Sequence, residues 1–365
     1  MINRRGLCRR PRLSPTDRQD AILGQVVKFV GIPDLVAGVA TLEVDATGRP
    51  ARTLVAVDLD SDDWSSVDDA VAALRLRPSA LVIGVSRQPL PEASAPLLDA
   101  LTLTLAPSGP GQGWAGTAAD LDTIAEVVHQ NPVAATTFAW TLHATSSAAV
   151  VDGLVVESST YSALLAGEEF RDWRARTPRR DLGRESDLVA LTRQDDVLEI
   201  TLDRPRRHNA FSSALRDALI EALWIAECDT SVRRVRLTGN GPSFCSGGDL
   251  DEFGSVTDPA AAHLVRISRS AGHAVHRIAD RVEAHVHGAC IGAGVEVPAF
   301  AGRLVAHEDA WFQLPELSMG LIPGAGGTVS ISRRIGRWRT AYLALTQARI
   351  DARTALSWGL VDALS

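Results

Sequence analysis

The chain has 365 residues, 45% hydrophobic and 22% charged, which is ordinary globular composition with room for two domains. Its net charge of −7 excludes a broadly basic nucleic-acid surface, and Cys8, Cys228, Cys245 and Cys290 have neither metal-ligand spacing nor the density of a disulfide scaffold. No apolar run is long enough to span a membrane, so a reduced, cytoplasmic protein is expected, with no membrane or nucleic-acid partner.

The basic N-terminus, MINRRGLCRRPRLS, lacks the apolar core and cleavage site of a secretory signal and is expected to be a tail. Lys28 is the one lysine, so nearly all positive charge is arginine. Residues 17–36 are expected to form a short helix and turn. Residues 52–59 (RTLVAVDL), 80–86 (ALVIGVS) and 101–106 (LTLTLA) read as buried strands. Residues 62–76, with an acidic first turn, and 91–100 read as helices between them. This β-α-β alternation predicts a parallel sheet covered by helices. The glycine-rich stretch 107–116 lacks the Lys-Ser/Thr ending of a phosphate loop and reads as a surface loop. Residues 118–180 are expected to be helical throughout, and 179–185, charged and containing glycine, to be a linker.

The rhythm then returns, with strands expected at 197–202, 232–239 and 282–286 and a helix at 212–226. A degenerate internal repeat is expected on that ground. In the second copy the strand at 282–286 runs into Gly292-Ala293-Gly294, and residues 294–300 are compatible with a buried helix. Such a turn leaves the first N–H groups of its helix free to receive negative charge. Glu296 follows one turn later, and Glu316 twenty residues on, between Leu314-Pro315 and Leu317. A lone glutamate here would be a paired or exposed residue, but two in apolar company point to acid/base chemistry.

These residues, with Ser243-Phe244-Cys245-Ser246-Gly247-Gly248-Asp249-Leu250, Pro323-Gly324-Ala325-Gly326-Gly327 and Trp358-Gly359-Leu360-Val361-Asp362, resemble the crotonase (enoyl-CoA hydratase/isomerase) superfamily over residues 188–364. The resemblance implies an α/β fold built as a crotonase-like ββα spiral, with a degenerate α/β copy plus helices before it. It implies an oxyanion hole made by the N–H groups of Gly248 and Ala293, and hydration of a 2-enoyl-CoA by Glu296 and Glu316. Ala293 can serve if its φ is negative, since the N–H is what acts. CoA is expected to pass Arg207, Ala210, Ser246, Asp249, Leu250 and Asp251, with Arg207 meeting a phosphate and Asp249 capping a helix after Gly248. No cofactor is implied, because CoA belongs to the acyl-CoA thioester substrate. A homo-oligomer, trimer or hexamer, is implied as well.

Two readings of 118–180 follow from its GL…E…Y…EF…W pattern, which resembles the closing helices of the family. Residues 1–180 become a degenerate crotonase-like domain ending in a closing segment, 118–180. Residues 186–365 become a catalytic domain without closing helices of its own, covered by that segment from this chain or a neighbour. His285 and His287 read as packing residues and Cys245 as structural. An enoyl-CoA isomerase or other crotonase enolate chemistry, or a catalytically silent CoA-binding or scaffolding subunit, remains the alternative to a hydratase.

Overall fold

The computed structural model describes residues 27–60, 64–180 and 186–365. The expected N-terminal tail and most of the expected linker lie outside them. The N-terminal half is built on four parallel strands in sequential order: β1 (Val27–Val30), β2 (Leu54–Asp58), β3 (Leu81–Val85) and β4 (Leu103–Leu105). Helices α1 (Ile32–Val36), α2 (Val67–Leu76) and α3 (Ala95–Ala100) connect them. Val27–Val30 is a strand where a helix was expected; pairing Val27 with Leu54 and Val30 with Val57 satisfies its backbone at the sheet edge and overrides local propensity. Alternate side chains divide the sheet. Val55, Val57 and Val82 pack against α1–α3, whereas Leu54, Ala56, Leu81, Ile83 and Leu105 join the core shared with the rest of the molecule.

Residues 118–176 are not one continuous helical run. They form α4 (Leu121–Gln130), α5 (Pro132–Thr145), α6 (Val150–Leu165) and α7 (Glu168–Arg176). Pro132 has no N–H and excludes Asn131 from helical geometry (φ −137°, ψ 68°), which forces the first break. Gly167 starts α7 in an extended conformation.

The C-terminal half begins with β5 (Val189–Gln194), β6 (Val197–Leu202), α8 (Ser213–Cys228) and β7 (Arg234–Gly239), followed by α9 (Pro259–Ser268) and α10 (Ala271–Arg277). Two ββα units follow: β8 (Val282–Val286), β9 (Ala289–Ile291) and α11 (Ala293–Glu296), then β10 (Arg303–Ala306), β11 (Trp311–Gln313) and α12 (Gly327–Thr346). The chain closes with β12 (Ile350–Asp351), α13 (Ala352–Trp358) and β13 (Ala363–Leu364). In each unit the first strand joins a six-stranded sheet, ordered β13-β10-β8-β7-β6-β5, and the second joins a three-stranded one, β12-β11-β9. Only Gly294, Val295 and Glu296 of the expected helix at 294–300 are α-helical. Pro298 cannot donate to the helical ladder, and Pro298–Phe300 tightens into a 3₁₀ turn.

Helices α4–α7 lie against this half. Asn131 Nδ2 donates to Leu317 O (2.8 Å) and Thr145 Oγ1 to Thr328 O (3.0 Å). Gly153 of α6 meets Val329 of α12 so closely that an added Cβ would stand 2.8 Å from Val329 Cγ2. Among the described residues, no helix is long and apolar enough to cross a membrane.

Candidate active site

The loop after β7 is pegged by one buried side chain. Asn209, itself in the left-handed region (φ 52°), accepts from Arg204 N and donates through Nδ2 to the carbonyls of Asn240, Ser243 and Phe244. The loop then pairs with β9: Cys245 N donates to Ala289 O (3.2 Å) and Ile291 N to Cys245 O (3.0 Å). That pairing brings Gly248 and the start of α11 to one cavity of about 450 Å³. The N–H groups of Gly248 and Ala293 donate to no acceptor among the described residues, and both residues line the cavity. Ala293 has the negative φ of a helical residue; the unusual backbone is at Gly292 (φ 49°, ψ −119°).

Glu296 and Glu316 also line this cavity and are buried. Glu296 Oε2 accepts from Ala325 N (2.7 Å) and Gly327 N (2.9 Å), so the glycine turn before α12 aims the carboxyl. Glu316 lies against Gly292, where a methyl group would collide with its Oε1, and Glu296 Oε1 lies 3.7 Å from the same point. Glycine there serves both the positive φ and the close approach of two carboxyls. Glu316 Oε2 is buried with no hydrogen-bond partner among the described residues. Burial pushes the Glu316 carboxyl up to about 8, with Glu157 adding to the rise. Burial and the neighbouring Glu316 and Glu157 push Glu296 well above its ordinary range, against the pull of its two backbone donors. At neutral pH the pair therefore holds a proton.

A third buried glutamate comes from the N-terminal half. Glu157 of α6 accepts from Gly326 N (2.7 Å), Thr328 N (2.9 Å) and Thr328 Oγ1 (2.7 Å). Successive N–H groups of the 325–328 turn thus alternate between Glu296 and Glu157. A carboxylate here also meets the positive N-terminal end of α12, whose first segment runs from Gly327 to a break at Gly336 (φ 79°, ψ 156°). Tyr161 and Leu165, from the same helix, line the cavity, and the Tyr161 ring packs on Gly324. Sequence reading placed Glu157 and Tyr161 only in a pattern of closing helices. The available signal was an acid, Glu157, between Val156 and the small residues Ser158 and Ser159 in the weakly amphipathic α6, whose other acid, Asp152, stands in the first turn.

Of the residues expected along CoA, the cavity wall includes only Asp249. No helix follows Gly248, so Asp249 is not a helix cap; its carboxylate accepts from Arg204 Nη1 (2.7 Å), Arg207 Nη2 (3.2 Å) and Asp251 N (3.2 Å). Arg207, expected to meet a phosphate, spends Nη2 on Asp249 and Asp251. Asp251 is shared with Arg180, and the two arginines hold its carboxyl down at about 2. Ala210 O accepts from Arg204 Nη1, Ser246 N donates to His208 O, and Leu250 O accepts from Arg174 Nη2 (2.6 Å). These residues are off the cavity wall. Phe211, Ser212, Ser213, Glu252 and Phe253 stand there instead. The expected variable acyl end, 255–279, is represented by Val256, Ala262, Val265, Arg266 and Gly272 among others. The Cys245 thiol, fully buried, is pushed up to about 12 by burial and directed at Gly247 O, which suits packing and not nucleophilic attack. His285 Nε2 pairs with Glu283, and His287 Nε2 with Gly241 O.

The profile of the enoyl-CoA hydratase/isomerase family matches residues 192–365. The chain is 35% identical over 177 residues to 2,3-dehydroadipyl-CoA hydratase of Escherichia coli K12, covering 48% of this chain and 68% of that protein. The chain belongs to this family. A second E. coli K12 relative, 1,2-epoxyphenylacetyl-CoA isomerase, is 34% identical over 169 residues, covering 45% of this chain and 64% of that one. Among solved structures, enoyl-CoA hydratase of Thermoplasma volcanium superposes with a TM-score of 0.45 at 32% identity, covering 49% of this chain and 71% of that one. The chain thus spans about two thirds of the length of these crotonase relatives, and the family match leaves the N-terminal half uncovered.

Proposed function

We propose that this crotonase hydrates a 2-enoyl-CoA thioester. The observation that carries the reading is the convergence of two buried carboxyls, Glu296 and Glu316, and two free backbone N–H groups, Gly248 and Ala293, on one cavity. With the thioester oxygen between the two N–H groups, negative charge developing on it meets preorganised donors in a water-poor site. The ionised carboxyl takes a proton from water as the water oxygen bonds to the β-carbon. The protonated carboxyl delivers its proton to the α-carbon, which discharges the enolate. A pair sharing a proton suits this division of labour. No cofactor is required, since CoA is part of the substrate.

We also propose residues 1–180 as a degenerate crotonase-like unit ending in the closing segment 118–180, and residues 186–365 as the catalytic unit. The sequential parallel order of β1–β4, echoed in β6-β7-β8-β10, supports the first assignment. A trimer or hexamer is proposed from the family alone.

The second reading is double-bond isomerisation, which one carboxyl can perform by moving a proton between two carbons. The test is a panel of 2-enoyl- and 3-enoyl-CoA esters. Hydration predicts loss of the conjugated thioester absorbance with 2-enoyl esters and a 3-hydroxyacyl product. Gain of that absorbance from 3-enoyl esters alone would move the assignment to isomerase, and no turnover of either would leave a binding subunit.

A further inference from the structure

The cavity carries a cation that the hydration chemistry does not use. Arg266, on α9, lines it together with Glu296, Glu316, Gly248 and Ala293. Its Nη1 donates only to neutral oxygens: Ser162 Oγ (3.1 Å), Ser158 Oγ (3.2 Å) and Ala262 O (3.3 Å). Its guanidinium lies over the Tyr161 ring, 4.5 Å from the centroid. Among the described residues no carboxylate is in ion-pairing distance of it, and its Nε and Nη2 have no acceptor. Glu157 is the nearby acid, but both its oxygens are taken by Gly326 and Thr328. Burial pulls the Arg266 guanidinium down from its ordinary value, against the opposing pull of Tyr161 and Glu157.

The rest of this wall adds to the imbalance. Arg216 and Arg269 also line the cavity and share one acid, Asp217. The acids nearby are already engaged: Asp249 with Arg204 and Arg207, and Glu252 with Ser213 N and Oγ. Placing an alkyl end against Arg266 would strip water from the cation and return nothing. The Nε and Nη2 edge of a guanidinium is instead the fork that matches a carboxylate with two parallel hydrogen bonds.

We propose that Arg266 receives an anionic group at the distal end of the acyl moiety, so that the preferred substrates are CoA thioesters of ω-carboxylated acids. This rests on the reading of the cavity as an acyl-CoA site. The phosphates of CoA are the other source of an anion, and the experiment separates the two.

Saturated esters, which cannot be hydrated, are titrated by calorimetry into the full chain: succinyl- through suberyl-CoA, the neutral straight-chain ester of each length, and free CoA. At the length that reaches Arg266, the diacid ester should bind roughly ten- to a hundredfold more tightly than its neutral counterpart. Arg266→Gln should abolish that difference. Equal binding of diacid and neutral esters at every length would overturn the inference alone, whatever reaction the site performs. Arg266→Gln weakening free CoA and every ester alike would assign the arginine to a CoA phosphate and also overturn it. Failure of all esters and of CoA to bind would remove the acyl-CoA reading and this inference together.

Discussion

At the scale of single residues, the decisive fact is that two carboxyls are held in one buried place by different means. Glu296 is fixed by two backbone N–H groups, while Glu316 retains a buried oxygen with no partner among the described residues. Glu296→Gln and Glu316→Gln should each lower hydration by at least about two orders of magnitude, the scale of a general acid or base, with CoA-ester binding largely kept. Near-full turnover in either variant, measured at saturating substrate, would contradict the two-carboxyl mechanism. Glu316 also carries a pH signature. Its folded-state value, about 8, lies above the ordinary 4.5. The folded state thus binds the proton more tightly, and the stability this contributes is full below about 4.5 and lost as pH rises through about 8. Denaturant titrations across that window should show stability falling with pH, with a shallower slope in Glu316→Gln. An unchanged slope would place the dependence on other groups.

At the scale of elements, the turn between β11 and α12 is governed from two sides. Ala325 and Gly327 donate to Glu296, and Gly326 and Thr328 donate to Glu157 of α6. Removing Glu157 leaves three buried donors without a partner, each costing about 1–3 kcal/mol before relaxation. Glu157→Ala should therefore destabilise the protein by on the order of 2–4 kcal/mol. It should also lower kcat more than it raises KM, because the turn that aims Glu296 loses its second anchor. Glu157→Gln keeps the shape but turns an amide donor towards other donors, so it should restore only part of the loss. Unfolding free energy and steady-state kinetics on the pair check this, and a fall in stability with unchanged kcat would reduce Glu157 to a structural cap.

At the scale of the whole molecule, the helices of the first half complete the site of the second. Tyr161 and Leu165 close one side of the cavity, and Arg337 of α12 reaches back to Leu101 O (3.0 Å) and to the Asp99 carbonyl. Without residues 1–181 apolar surface around Val329, Ile331 and Leu317 would face water, and large exposed apolar patches are rarely tolerated on soluble monomers. Solvent entering the cavity would also raise the local dielectric and weaken the N–H groups that stabilise the enolate. A fragment of residues 182–365 should therefore be insoluble or inactive, and residues 1–181 supplied in trans should restore part of the activity. A soluble fragment with full activity would make the first half an independent appendage.

What the sequence determined by itself was local and periodic. Buried runs such as Leu81–Val85 and the alternation in Val282–Val286 announce their strands. The glycines at 247, 248, 292, 324, 326 and 327 mark close approaches, and those at 292 and 327 lie against the glutamates of the site. The tertiary structure decided whatever depends on contacts between distant segments. Val27–Val30 became a strand because β2 offered it an edge, and Asp249 and Asp251 were brought to Arg204 and Arg207 from a distant loop. Glu157 reaches Gly326 across 169 positions of chain, and Arg266 meets Ser158 across 108. No local pattern encodes such pairings, because burial and charge balance at these sites exist only once the two halves have packed.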